Sequence, residues 1–169
     1  MTPIFVRPAT ADDVPALTDI YNHYVVHTSI TFDLQPFTVS ERLTWFAEHP
    51  LNGRHRLLVA DDGHGQAVGY ASTSRFRAKA AYETTVESSV YCRADLAGGG
   101  IGTTLYRALF EVLKDEDINR IVAAITLPNP TSTAFHERCG FRQVGVLSSV
   151  GRKFGRYWDV AWFERPLLL

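Results

Sequence analysis

TTVESSVYCRADLAGGGIGTTLYRALFEVL, residues 84–113, reads as a strand, a glycine-rich turn and an amphipathic helix in succession. Thr84 to Cys92 is rich in β-branched and aromatic residues, the composition of a strand. Gly98, Gly99, Gly100 and Gly102 then allow a tight turn with no side chain in a ligand's path. Ile101, Leu105, Leu109, Val112 and Leu113 follow at helical spacing and define one apolar face. The first turn of such a helix offers unpaired N–H groups and the positive end of its dipole, which suit a phosphate. On these residues alone, an anion cradle and a plain flexible βα turn both fit.

Two other glycine-loop chemistries fail. A P-loop needs Lys and Ser/Thr after its last glycine, whereas Thr103 and Thr104 follow Gly102. A dinucleotide fingerprint counted from Gly98 would need its third glycine at Thr103. What remains is x-Gly-x-Gly-x-Gly at the start of a helix.

The 169 residues suit a single domain spanning 1–169, and 46% hydrophobic with 21% charged residues is ordinary globular composition. A net charge of −1 from well-mixed residues gives neither a nucleic-acid footprint nor a polybasic membrane anchor. No apolar run approaches a membrane span, and MTPIFVRPAT does not read as a signal peptide. Cys92 and Cys139 lack CxxC or zinc spacing, as expected of a reduced, cytoplasmic protein.

Taken in order, Ile4 to Arg7 is a short strand, and Thr10 with Asp13 forms a capping box for a helix over 12–27. Val14, Leu17, Ile20, Tyr21 and Tyr24 give that helix its apolar face. His23 and His27 have i, i+4 spacing but no acidic or cysteine partner, so ordinary helix residues are expected and no metal site. Thr38 and Glu41 cap a second helix reaching about Glu48. Arg56–Ala60 and Ala67–Ser74 form a hairpin. Arg120–Thr126 is a strand, and Thr131 or Ser132 caps a helix that runs through Cys139 and ends at Gly140. Phe141–Val150 and Tyr157–Glu164 are final antiparallel strands joined through residues 151–156. The order β-α-α-β-β-β-α-β-α-β-β predicts an α/β (α+β) mixed sheet flanked by helices.

The glycine loop, the strand before it and Asn129–Phe141 resemble the GNAT superfamily of N-acetyltransferases. More narrowly, Thr85–Tyr91, Gly102–Tyr106, the segment after Asn129, and Lys153–Val160 resemble the phosphinothricin and methionine sulfoximine/sulfone acetyltransferases. The resemblance covers nearly the whole chain. It implies the GNAT acyl-CoA N-acyltransferase fold, with a mostly antiparallel central sheet, and acetyl-CoA as co-substrate. It assigns the cofactor to Ala97, Gly98, Gly99, Gly100, Ile101 and Gly102 for the pyrophosphate, to Ser89, Val90 and Tyr91 for the pantetheine arm, and to Asn129. It assigns the acceptor to Phe76, Arg77, Tyr82, Val86 and Glu87, near a homodimer interface to which residues 153–158 contribute. Two positions depart from the superfamily pattern: Ala97 stands where Arg or Gln is usual, and His136 where many members have tyrosine.

Acetyl transfer to an amine requires a deprotonated nucleophile, a polarised thioester carbonyl and a stabilised leaving thiolate. Glu87 is the candidate base, because a carboxylate in mid-strand between Val86 and Ser88 is costly to bury unpaired; pairing with Arg77 is the structural alternative. A peptide-like α-amine, with pKa about 7.8, costs about 1 kcal/mol to deprotonate at neutral pH, and a lysine amine roughly 4.6 kcal/mol. One carboxylate therefore matches a free amino acid or analogue better than a protein lysine. The Val90 N–H is the candidate donor to the thioester oxygen. His136 is expected either to donate to the leaving thiolate or to take no catalytic part. Cys92 and Cys139 read as packing residues, and Lys79 as part of a solvated turn. Two further functions fit less of the sequence: an acetyltransferase of protein or peptide amines, and a non-catalytic CoA-binding regulatory domain.

Overall fold

The computed structural model describes residues 4–168. Its strands are β1 (Phe5–Pro8), β2 (Leu57–Asp61), β3 (Ala67–Arg75), β4 (Thr85–Cys92), β5 (Arg120–Leu127), β6 (Arg142–Lys153) and β7 (Arg156–Pro166). Its α-helices are α1 (Val14–His27), α2 (Val39–Ala47), α3 (Ile101–Leu113) and α4 (Pro130–Arg138). The element order is the expected one. The strands form one sheet in the order β1-β2-β3-β4-β5-β7-β6. Only β4 and β5 run parallel among the neighbouring pairs. A parallel pair needs a crossover, and α3 supplies it.

Both faces of the sheet carry a core. On one, α3 buries Ile101, Leu105, Tyr106, Leu109 and Leu113 against Val86, Ile121, Ala123, Ile125 and Phe163. Each such side chain contributes about 1.5–3 kcal/mol by leaving water. On the other, Leu17 and Ile20 of α1 pack with Val59 and Tyr70, joined by Tyr21, Trp45 and Tyr91.

The helix ends follow their capping chemistry. Thr10 and Asp13 form the expected capping box, as do Thr38 and Glu41. Three sequence expectations are corrected. The cap of α4 is Asn129, whose side chain accepts the Ser132 N–H at 3.0 Å, in place of Thr131 or Ser132. Pro130 has no N–H to lose at the first helical position, so the cap moves back to the residue before it. Val112 is 39% exposed, whereas Tyr106, absent from the expected apolar face, is buried with its hydroxyl beside Ser88 and His136. The last two strands are longer than expected, and only Phe154 and Gly155 turn between them, at φ 53° and 72°.

The loop between α1 and α2 crosses the sheet to the β6–β7 hairpin. The buried Lys153 ammonium donates to the Thr31 carbonyl at 2.8 Å. The Phe32 ring lies on Gly151 so closely that a Cβ there would sit 2.1 Å from it. Gly151→Ala is therefore expected to lower stability by about 1–3 kcal/mol, the usual cost of overpacking. Thermal unfolding of the single and double variants checks the cause: Phe32→Ala should remove part of that loss, giving a non-additive cycle.

Candidate active site

The cradle begins at a single turn, Ala94–Leu96, that follows β4. Gly98 and Gly100 both adopt left-handed backbone, at φ 85° and 83°, a conformation that excludes most side chains. Both face open space. Gly99 donates to the Leu96 carbonyl at 3.3 Å, whereas no backbone acceptor takes the Gly98 or Gly100 N–H among the described residues. The N–H groups of Ile101, Gly102 and Thr103 are left free by helix geometry itself. Gly102 is glycine for another reason: a Cβ there would meet the Phe135 ring of α4 at 3.2 Å. An exposed, cation-free nest of amides at a helix N-terminus fits a pyrophosphate. Ala97 adds no side-chain donor, and the Arg93 guanidinium of the same loop is paired with Asp95 at 2.6 Å.

Beside the cradle the sheet opens. β4 pairs with β5 only from Thr85↔Arg120 to Glu87↔Val122, although β4 continues to Cys92 and β5 to Leu127. β4 remains paired with β3 throughout, from Val86 to Cys92. Arg93 N–H bonds Val68 of β3, and the Thr84 carbonyl receives N–H groups from the β5 side. Strand alternation therefore turns the N–H groups of Val90 and Cys92 toward β5, where no strand meets them. Val90 presents the first free N–H beyond the last rung. The side chains of Ser89 and Tyr91 lie on the α1–α2 face, and Tyr91 packs against Tyr21, Tyr24 and Tyr70.

Glu87 stands on the last rung, on that same face. It is half-buried, and neither a hydrogen bond nor an ion pair joins it to a neighbour among the described residues. Burial pushes its carboxyl above the ordinary carboxylate range, and the Arg77 charge pulls back only in part. The pairing alternative is thus absent. The Arg77 guanidinium instead lies 4.7 Å from the Phe76 ring and 6.0 Å from that of Trp162. Phe76 meets Trp162 and Tyr82 edge-on at 5.8 and 5.7 Å. Ala124, in a central strand on the same face, is exposed, so the floor between Glu87 and Trp162 is open. Val86 does not reach this face: its side chain is fully buried in the α3 core.

Asn129 borders an open cavity of about 670 Å³ with Leu127, Thr133, Arg156, Trp158 and Asp159. Its carbonyl oxygen caps α4, which leaves the amide NH₂ for a ligand. His136 is buried, with Nδ1 2.9 Å from the Ser132 carbonyl and Nε2 3.1 Å from the Tyr106 hydroxyl. Burial lowers its pKa and keeps the ring neutral. Both nitrogens are thereby engaged, which is the arrangement of the non-catalytic alternative. Cys92 is pushed up to about 11 by burial, and Cys139 is raised for the same reason, so neither is an activated thiol. The rings of His23 and His27 lie 5.0 Å apart on α1, tilted to each other.

Sequence reasoning missed Trp162, Ser88 and Tyr106. Trp162 alternates with the core residues Ala161 and Phe163, and that period placed it on the acceptor face. Ser88 and Tyr106 are polar positions in apolar patterns, a signal that was present but unread.

A family model for the acetyltransferase (GNAT) domain matches residues 6–162. The chain is 53% identical to the phosphinothricin N-acetyltransferase of Streptomyces coelicolor over 96% of this chain and 95% of that protein. It is 36% identical to the L-methionine sulfoximine/L-methionine sulfone acetyltransferase of Pseudomonas aeruginosa, over 96% and 94%. A GNAT superfamily phosphinothricin acetyltransferase of Sinorhizobium meliloti, solved in complex with AcCoA, superposes with a TM-score of 0.91 at 33% identity, covering 98% of this chain and 89% of that one. With the amide cradle, the split parallel pair and the lone carboxylate at its fork, these likenesses make the chain a member of the GNAT family, an acetyl-CoA-dependent N-acetyltransferase.

Proposed function

We propose that this domain moves the acetyl group of acetyl-CoA directly to the amine of a small amino-acid-like acceptor, of the phosphinothricin, methionine sulfoximine or methionine sulfone type. The observation that carries the reading is Glu87: a desolvated carboxylate with no partner, at the end of the β4–β5 ladder and on the face that holds Phe76, Arg77 and Trp162. The named activities of the relatives from Streptomyces coelicolor and Pseudomonas aeruginosa support the acceptor class.

Acetyl-CoA supplies the acetyl thioester. The amides of Gly98 and of residues 100–103 are free to bind its pyrophosphate, the open edge of β4, which Val90 presents within the stretch Ser89 to Tyr91, to pair with the pantetheine arm, and the Asn129 NH₂ to donate to it. The Val90 N–H donates to the thioester oxygen. Glu87 takes the ammonium proton of the acceptor, and its raised pKa makes it a stronger base than an ordinary carboxylate. Arg77, its guanidinium 4.7 Å from the Phe76 ring, offers a fork to a carboxylate, phosphinate or sulfone oxygen pair. Tyr82 closes the aromatic edge. His136, with both ring nitrogens engaged, takes no direct part in the proton transfers.

The active unit is read as a homodimer. β6 is an edge strand whose Val144, Val146, Leu147 and Val150 are 47%, 42%, 48% and 55% exposed, more apolar surface than an unpartnered edge usually shows. The free cysteines suit the reducing cytoplasm. Among the described residues no helix is long and apolar enough to cross a membrane.

CoA release measured over amino acids, methionine sulfone, methionine sulfoximine, phosphinothricin and polyamines tests the function. Turnover is expected with the amino-acid analogues and not with polyamines. Glu87→Gln should lower kcat by about 10²–10⁴-fold. Ionising Glu87 above the ordinary value of 4.5 opposes folding, because its pKa is higher folded than unfolded. The same variant should therefore keep or raise Tm at neutral pH, and unchanged turnover would remove Glu87 from the mechanism. Calorimetry of acetyl-CoA binding tests the cradle: Gly100→Val forces a β-branched residue to positive φ, at about 1–3 kcal/mol, and should weaken affinity. Analytical ultracentrifugation should find a dimer that Val146→Lys with Leu147→Lys dissociates.

A further inference from the structure

We propose that Ser88, Tyr106 and His136 are positioning residues for acetyl transfer, joined in a buried hydrogen-bonded strut that fixes the fork between β4 and β5. All three are almost fully enclosed, at 4%, 1% and 5% exposure. The Ser132 carbonyl can only accept, so the His136 Nδ1 at 2.9 Å carries the hydrogen and Nε2 is left as an acceptor. The Tyr106 hydroxyl, 3.1 Å from Nε2, then donates to it. The Ser88 hydroxyl in turn lies 3.2 Å from the Tyr106 oxygen and 3.3 Å from the Val122 carbonyl, and is shared between them. No orphan polar atom is left along this path among the described residues.

The position of the strut gives it its meaning. Val122 is the β5 residue opposite Glu87 on the last rung of the parallel ladder. Ser88 is the residue between Glu87 and the stretch of β4 with free amides. Tyr106 lies in α3, the helix whose first turn is the cradle, and His136 lies in α4, whose cap is Asn129. One hydrogen-bonded chain thus connects every element that borders the thioester path. Aromatic contacts reinforce it: the Tyr106 ring lies 5.2 Å from Phe135 and 5.9 Å from Phe141. If the fork widened or closed, the Val90 N–H and the Glu87 carboxylate would shift relative to each other, and small misplacements of reacting groups are costly in rate. The strut touches neither substrate, so it acts through these two residues. The proposal rests on the reading of Val90 and Glu87 given above.

Tyr106→Phe keeps the ring and deletes the hydroxyl; Ser88→Ala deletes the other; Ser88→Thr restores a hydroxyl. Leu109→Ala, one turn along α3 and fully buried, is the control for lost stability. At a temperature well below every Tm, Tyr106→Phe and Ser88→Ala should each lower kcat about tenfold and weaken CoA binding severalfold. Ser88→Thr should recover to within about twofold of the parent enzyme, and Leu109→Ala should lose more Tm than either while retaining kcat and CoA affinity. Wild-type kcat and CoA affinity in Tyr106→Phe, or losses in Leu109→Ala equal to those in the strut variants, would overturn the proposal. If the parent enzyme releases CoA with no tested amine, the proposed acceptor class falls, and calorimetric CoA affinities of the same four variants still decide the strut.

Discussion

The premature end of the β4–β5 ladder is the constraint from which the rest follows. Two parallel strands that part after three paired positions leave main-chain donors with no protein partner in the middle of a sheet. Such donors are expensive to bury unsatisfied, and they define a slot that an extended, amide-bearing chain can fill as a surrogate strand. The glycine turn lies directly after the unpaired stretch, so the same strand that offers the slot also leads into the phosphate nest. Glu87, on the final rung, is the one carboxylate of β4, and its place at the fork comes from register alone.

The electrostatics divide cleanly between the two ends of that strand. At the nest, the donors on offer are main-chain amides, since Ala97 is apolar and Arg93 is engaged by Asp95. At the fork, a carboxylate is held with too little solvent and no counter-ion in contact, which raises its basicity. Arg77 lies against the Phe76 and Trp162 rings and offsets the effect of burial on Glu87 only in part. The aromatic shelf thus presents the guanidinium fork toward the open floor.

Much of this was legible in the sequence because it rests on local signals. Element order followed from periodicity and breakers, the capping boxes at Thr10 and Thr38 from their spacing, and the cradle from its glycines. Val112 was misjudged because periodicity names a helical face and not how much of it a neighbour covers, so it did not separate exposed Val112 from buried Leu105 and Leu113. The α4 cap was misassigned because proline at the first position outweighs a neighbouring Thr or Ser. Lys153 with Thr31, and Phe32 on Gly151, are contacts between segments distant in the chain, and no local pattern encodes them. His136 was ambiguous for the same reason: only the fold reveals that both ring nitrogens are occupied.

The nest of amides after Ala97 has a consequence for how the co-substrate is held in a changing medium. Amides carry no formal charge and do not titrate near neutrality, so a shift of pH across that range alters only the ligand's own phosphates. Counter-ions in solution likewise find no lysine or arginine of the nest to screen. Affinity for the nucleotide end should therefore vary less with ionic strength than in a site that grips phosphate with cationic side chains, and the enzyme's demand for its acyl donor would stay nearly constant through swings in salt.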